Sequence, residues 1–293
     1  MEQKFVVEEA TTLLEFLSQI YPQSTKNKLR KMLTKNRVYV DAKPTNQAKQ
    51  ELKSGQQVII RPHDKSPSPL ETKKFKPTKF DIIFEDNQII AVTKPANLLS
   101  IATDKLETDT LHSYVVEYLQ HQNPKAWVWV VHRLDKRTSG IMLFAKNKTS
   151  KEYIQSQFAN RTIHRTYYAL IEGTPKSTQG TIHNHLFEDK NLRVRVCKSE
   201  TKGAKEAITH WNVESDYSDT TLVQIMIETG RRHQIRIHMS DMGHPVVGDI
   251  EYGASPNSSK RLRLHAFSLE FIHPETEDPI RLESPLPSQL KIT

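Results

Sequence analysis

The sequence predicts an α+β protein built on a mixed, mainly antiparallel sheet, with a small α/β unit in front of it. Three observations predict this. From residue 80 onward, short runs rich in Val, Ile, Phe and Tyr recur between turn signals, as half-buried strands do. Apolar residues at helical spacing are confined to a few short segments. Residues 62–79 (PHDKSPSPLETKKFKPTK) hold Pro, Ser and Lys with no apolar period, the composition of a linker. The expected units are therefore 1–62, a linker over 63–79, and 80–293.

The elements follow in order. Leu13, Leu17 and Ile20 recur at helical spacing, with Leu14 and Phe16 beside them. Ser24 is the expected N-cap of a second helix that turns Leu29, Met32 and Leu33 inward. Its other positions carry Lys26, Lys28, Arg30, Lys31 and Lys35, with Arg37 just beyond and no acid from 26 to 37. Val38 to Val40 reads as a strand, Asp41 to Lys43 as a turn, and Gln57 to Ile60 as a last strand after Gly55. In the larger unit, Asp81–Phe84 and Ile89–Thr93 flank Glu85-Asp86-Asn87 as a hairpin. Leu111, Val115, Val116 and Leu119 mark a helix. Trp127–Val131 and Ile141–Ala145 are strands around a polar loop. Thr149 and Glu152 have capping-box spacing for a helix running to Phe158. Strands follow at 164–171, 207–215, 221–228 and 264–272, with Ile235, Met239 and Met242 on a helix between the last two.

Composition excludes several classes. The chain has 293 residues, a net charge of +8 and one cysteine. One thiol cannot build an internal disulfide framework or a multi-thiolate metal site. No apolar run approaches the ~18 residues of a membrane span. The opening residues MEQKFVVEEATT have no leader character, so a cytoplasmic protein is expected. Excess positive charge points to an anionic partner such as nucleic acid.

Two polar stretches could carry chemistry. HRLDKRTSG, residues 132–140, sits between two apolar strands. Asp135 lies there among Arg133, Lys136 and Arg137, a setting that keeps a carboxylate ionised. A solvated turn with surface ion pairs has the same composition. An ionised carboxylate in a basic setting is also what nucleophilic or general-base work on RNA needs. The second stretch, TGRRHQIRIHMSDMGHPVVGD over 229–249, places Arg231, Arg232, Arg236, His233 and His238 where a helix is expected to begin, a natural phosphate site. His233 and His238 are five apart and do not share a helical face, so no metal site is expected despite thirteen histidines. His183 and His185 share a strand face and read as polar residues turned to solvent. Cys197, among Arg193, Arg195 and Lys198, reads as incidental.

These stretches resemble the RluA family of pseudouridine synthases. HRLDKRTSG followed by IMLFAKN looks like the family signature; ETGRRHQIRIH with GHPVVGDIEYG is similar to its later motif, and RTYYALIEG to its middle one. The hairpin ending VTKPANLLS and the segment RLRLHAFSLEFIHP also fit, so the resemblance spans 80–293. Residues 1–62 resemble the small S-four type RNA-binding fold, on a looser match. The resemblance implies a pseudouridine synthase type catalytic domain and an RNA substrate, ribosomal RNA ahead of tRNA. It implies no cofactor, no metal and no obligatory protein partner; a monomer is the default. It puts the catalytic aspartate on Asp135 and its paired arginine on Arg231. Tyr167 becomes the tyrosine that stacks on uracil and whose hydroxyl is available for the final proton removal. Arg133 becomes the side chain that replaces the extruded nucleotide. His132, Thr138, Arg232, His233, Gln234 and Arg236 are expected on the substrate, as are Lys26, Lys28, Arg30 and Lys31 of the small unit. Two departures stand out: Asn97 where the family commonly has Gly, and Arg232 where it often has a small hydroxyl residue. A silent RNA-binding protein on the same scaffold is the alternative, and intact Asp135, Tyr167 and Arg231 speak against it.

Overall fold

A computed structural model describes residues 3–22, 24–34, 37–60, 79–103, 107–190, 192–256 and 259–290. The expected linker falls outside these residues apart from Lys79. Chain contacts divide the molecule into two units, Met1–Lys74 and Phe75–Thr293.

In the first unit, β1 (Gln3–Val6), β3 (Val38–Val40), β4 (Lys43–Pro44) and β6 (Gln57–Ile60) form one antiparallel sheet in the order β1-β6-β3-β4. Two short strands, β2 (Thr11–Thr12) and β5 (Glu51–Leu52), pair beside it. Helix α1 (Leu13–Ile20) starts where the Thr12 hydroxyl and backbone N–H both donate to the Glu15 carboxylate, at 2.7 and 3.3 Å. Its Leu13, Phe16 and Leu17 bury against Leu29 and Leu33 of α2 (Lys26–Thr34) and against Val38, Val58 and Ile60. The cap position of α2 is Thr25 rather than Ser24: the Thr25 carbonyl accepts the Leu29 N–H at 3.1 Å. Lys26 and Arg30 are exposed on α2, whereas the side chains of Lys28 and Lys31, and all of Lys35, lie outside the described residues.

The second unit is an eleven-stranded sheet. Its strands are β7 (Asp81–Glu85), β8 (Ile89–Lys94), β9 (Trp129–Val130), β10 (Ser139–Ala145), β11 (His164–Glu172), β12 (Gln179–Glu188), β13 (Val194–Cys197), β14 (Lys205–Asp216), β15 (Thr220–Ile227), β16 (Leu264–Ile272) and β17 (Pro279–Glu283). The main order is β13-β12-β14-β15-β11-β16-β10-β8-β7, with β9 on β10 and β17 on β16. Among the described residues every neighbouring pair is antiparallel except β10 and β16, which meet in parallel through Ser139–His265 and Gly140–Ala266. Gly140 makes that meeting possible. Its φ is +120°, and a Cβ there would sit 2.1 Å from the Ala266 carbonyl oxygen.

Both faces of β8 and β10 are covered, which is why their sequences read as unbroken apolar runs. On one face Ile90, Val92, Met142 and Phe144 pack under Leu111, Val115 and Leu119 of α3 (Leu111–Gln120). On the other, Ile89, Ile141 and Leu143 pack with Tyr167, Ile225, Met239 and Ile154. Ile154 belongs to α4 (Lys148–Ala159) and Met239 to α5 (Gln234–Asp241). Two helix starts differ from expectation. Asn147, not Thr149, caps α4, its side-chain oxygen accepting the Ser150 N–H at 2.8 Å. Helix α5 begins at Gln234 rather than near Arg231, because His233 adopts the left-handed backbone (φ 55°). The strand expected at 127–131 shrinks to β9, and Trp127 lies half exposed, edge-on to His112. No helix among the described residues is long and apolar enough to cross a membrane.

Candidate active site

The loop before β10 carries Asp135, and several buried groups fix it there. Lys94, at the end of β8, is fully buried. Its ammonium donates to the carbonyls of Pro95 (3.0 Å), Leu98 (2.8 Å) and Lys136 (3.1 Å). It thereby fastens the residue after Asp135 to the turn containing Asn97, whose φ of 67° is the left-handed conformation that Asn tolerates. Burial pushes Lys94 down to about 7, with Asp135 opposing the shift and Arg261 adding to it. Ser100 holds the loop from the same side, donating to the Leu134 carbonyl at 2.7 Å and accepting the Leu134 N–H at 3.1 Å. Sequence reasoning quoted the KPANLLS motif and missed Lys94. A lysine directly after a buried strand run was the available signal.

Asp135 opens into a cavity of about 430 Å³, within the ~300–1,000 Å³ range of small-ligand sites. His132, Arg133, Asp135, Thr138, Tyr167, Arg231, His233, Gln234 and Arg236 all line it, and so do Phe158, Arg161 and Arg165, which the sequence did not single out. Arg133 is exposed at its rim. Tyr167 is buried on β11, on the strand face opposite Tyr168. Burial raises the Tyr167 phenol, with Arg165 opposing and Asp135 adding, so the hydroxyl stays protonated at neutral pH and is a poor base.

Several expected substrate contacts face the protein instead. Arg231 does not pair with Asp135; its Nε donates to the Glu206 carbonyl at 2.8 Å. His233 does approach the Asp135 carboxylate: its Nε2 stands 3.9 Å away, and its Nδ1 meets the Tyr252 hydroxyl at 2.8 Å. Burial lowers His233, and Asp135 opposes that. Gln234 is buried and fully engaged. Its oxygen accepts from Thr229 and the Arg231 N–H, and its amide donates to the Ile208 carbonyl and Thr209. Arg236 is buried and bidentate to Asp249 at 2.7 and 2.6 Å, with Glu251 at 2.8 Å. Burial works against its charge, but these carboxylates hold it firmly protonated. His132 accepts the Leu143 N–H at 3.0 Å, and burial pushes it down to about 3. Arg232 turns out of the cavity to pair with Glu188 at 3.0 Å. His238 is buried between Thr209 and Asn184.

Comparison with known proteins now decides the family. The model of the RNA pseudouridylate synthase family matches residues 88–241, which is the part of the chain that carries the Asp135 loop, Tyr167 and Arg231. The chain belongs to the RNA pseudouridylate synthase family. It is 40% identical over 202 residues to the dual-specificity RNA pseudouridine synthase RluA of Vibrio vulnificus, covering 67% of this chain and 79% of that one. It is 30% identical over 288 residues to ribosomal large subunit pseudouridine synthase D of Neisseria meningitidis, covering 94% and 75%. The solved structure of human RNA pseudouridylate synthase domain containing 4 shares the fold, with a TM-score of 0.61 at 22% identity over 72% of this chain and 90% of that one. This pseudouridine synthase is therefore an isomerase that acts on RNA. Its reaction moves the uracil–ribose bond from N1 to C5.

Proposed function

We propose that this synthase modifies a uridine in structured ribosomal RNA, with Asp135 as the nucleophile or general base. One observation carries the reading: a single cavity gathers the Asp135 carboxylate, the Tyr167 ring and the exposed Arg133. Tyr167 gives uracil a stacking surface. Arg133 fills the space that the extruded nucleotide leaves, where a planar guanidinium can stack and hydrogen-bond. Arg231, anchored through Nε, keeps its remaining N–H groups for the cavity. The small N-terminal unit, which we read as S-four type, adds phosphate contacts through Lys26 and Arg30, with Lys28 and Lys31 beside them in sequence. Ribosomal RNA is favoured over tRNA because the Neisseria large-subunit enzyme aligns over 94% of the chain, the small unit included. The enzyme works as a cytoplasmic monomer without metal or cofactor.

The test is pseudouridine mapping of total RNA by carbodiimide labelling and primer extension, in cells lacking the gene. Rescue uses wild type and Asp135→Asn. A ribosomal RNA site that disappears and returns with wild type alone is the expected result. A site confined to tRNA would overturn the substrate assignment, and full rescue by Asp135→Asn would overturn the catalytic one.

A further inference from the structure

One cavity residue has no place in that scheme. Arg165 lies on β11 two residues before Tyr167, so both side chains leave the strand on the same face. It is 9% exposed and lines the cavity. One terminal nitrogen donates to the Glu228 carbonyl at 2.8 Å and lies 3.4 Å from the Ile227 carbonyl. The guanidinium sits over the Phe158 ring, 5.5 Å from its centroid. Its Nε is buried without a partner. Among the described residues no Asp or Glu pairs with it, whereas the buried Arg236 holds two carboxylates. Burying a cation is unfavourable unless an anion or a full set of acceptors compensates. Gly230 keeps room for it: a Cβ there would lie 2.6 Å from Nη1.

We propose that Arg165 is a further catalytic residue, whose guanidinium binds an oxygen of the uracil ring and stabilises the negative charge that the ring carries during isomerisation. The inference rests on the proposed function above. When the N1–C1′ bond breaks, its electron pair stays on uracil and spreads to O2 and O4. Asp135 meanwhile takes C1′ as an ester or removes the C2′ proton. If Asp135 instead adds to C6, the pair moves to O4. The turned ring then bonds to C1′ through C5, the carboxylate leaves or C2′ regains its proton, the C5 proton departs and N1 gains one. No atom is gained or lost, and every route passes through an electron-rich uracil. A fixed cation beside the stacking tyrosine is where electrostatic catalysis requires one. A phosphate is the other oxyanion that a guanidinium binds. The buried position beside Tyr167 suits the base, while the exposed Arg133 and Lys136 suit the backbone.

The experiment uses full-length protein and transcripts of large-subunit ribosomal RNA and tRNAs made with 5-tritiated uridine, since tritium leaves as C5 rebonds. Single-turnover rates are measured across enzyme concentration. Arg165→Met is expected to lower the saturating rate about 10²–10³-fold with little change in half-saturating concentration, and Arg165→Lys to recover part of it. Transcripts made with 5-fluorouridine sharpen the result, followed as loss of that nucleoside by mass spectrometry. Fluorine withdraws the same charge, so the Arg165→Met defect should shrink at least about tenfold, because part of the loss is then supplied by the ring. An unchanged saturating rate with weaker half-saturation assigns Arg165 to a phosphate and overturns the proposal. An equal defect on both RNAs overturns it too. If Arg165→Met fails to melt cooperatively, Arg165→Lys and Gly230→Ala carry the test, and normal saturating rates in both refute it. Wild type and Asp135→Asn run alongside. An inert wild type or an active Asp135→Asn overturns the proposed function together with this inference, while the Arg165 outcomes overturn this inference alone.

Discussion

The Asp135 loop and the 231–238 segment hold similar residues and use them in opposite ways. In the loop, Arg133 and Lys136 are exposed and Asp135 faces the cavity with His233 3.9 Å away. In the segment, Gln234, Arg236 and His238 are buried and bound to Thr209, Ile208, Asp249, Glu251 and Asn184. Arg137 links the loop to the partner of Arg236, donating to the Gly248 carbonyl at 2.6 Å and approaching Asp249 at 3.9 Å. The difference teaches that residue type marks bonding capacity, and that function is served by the capacity the fold leaves over. One region leaves its charge open to the cavity; the other uses it to hold the cavity wall.

The largest effect should come from breaking the inward region. Removing one member of a buried ion pair costs about 3–5 kcal/mol because the other charge is stranded. Arg236→Ala should lose that much in urea unfolding, and Asp249→Asn should be comparably damaging. Asp135→Asn, by contrast, should cost far less, because Lys94 keeps its three carbonyl acceptors and His233 its Tyr252 hydroxyl. A stable Arg236→Ala would dissolve the contrast.

The second effect tests what holds the cleft region. Lys94→Met leaves three carbonyls without their donor and frees the residue next to Asp135. A displacement of about 1 Å can cost roughly 10² in rate, so single-turnover isomerisation should fall by that order while RNA affinity changes little. Undiminished turnover would show that Ser100 alone fixes the loop.

Residue for residue and per pH unit, the smallest effect is a pH dependence that crosses the comparison. His132 belongs to the loop and His238 to the segment, yet burial pushes both down, to about 3 and about 4, and His265 to about 4 as well. Each is neutral in the fold and has an ordinary value of about 6.5 when unfolded. Below pH 6.5 the unfolded chain takes up protons that the fold refuses. Stability should thus be level above pH 7 and decline from about 6.5 toward 4, by at most about 1.4 kcal/mol per unit for each histidine. Melting at pH 7.5, 6.5 and 5.5 checks this, and His238→Gln should flatten the slope. A stability that rises on acidification would mean that these rings are protonated in the fold.

Much of the architecture was legible because apolar period and burial coincide. β8, β10, β11, β15 and β16 follow from their Val, Ile and Leu patterns. β1, β13 and β17 were missed for a physical reason: they are mostly exposed, and β17 begins with Pro279, so no buried face imposes a pattern. In the cavity, Asp135, Tyr167 and Arg133 were legible through motif resemblance. The inward turn of Gln234 and Arg236 was not, because it depends on His233 delaying α5 and on acids at 249 and 251 folding back. Arg165 and Lys94 were passed over because a sequence shows a charge and neither its burial nor its partners.

The parallel seam at Gly140 has a consequence for tolerance to mutation. Asp135 comes from the side of the seam that holds β8 and β10, while Tyr167, Arg165 and Arg231 come from the side that holds β11 and β15. A methyl group at residue 140 would drive against the Ala266 backbone and spread these two sides apart. In a library selected for pseudouridine formation, position 140 should therefore be depleted of every other amino acid as strictly as Asp135, though it does not line the cavity. Its chemistry is an absence: the active site is aligned by a side chain the protein does without.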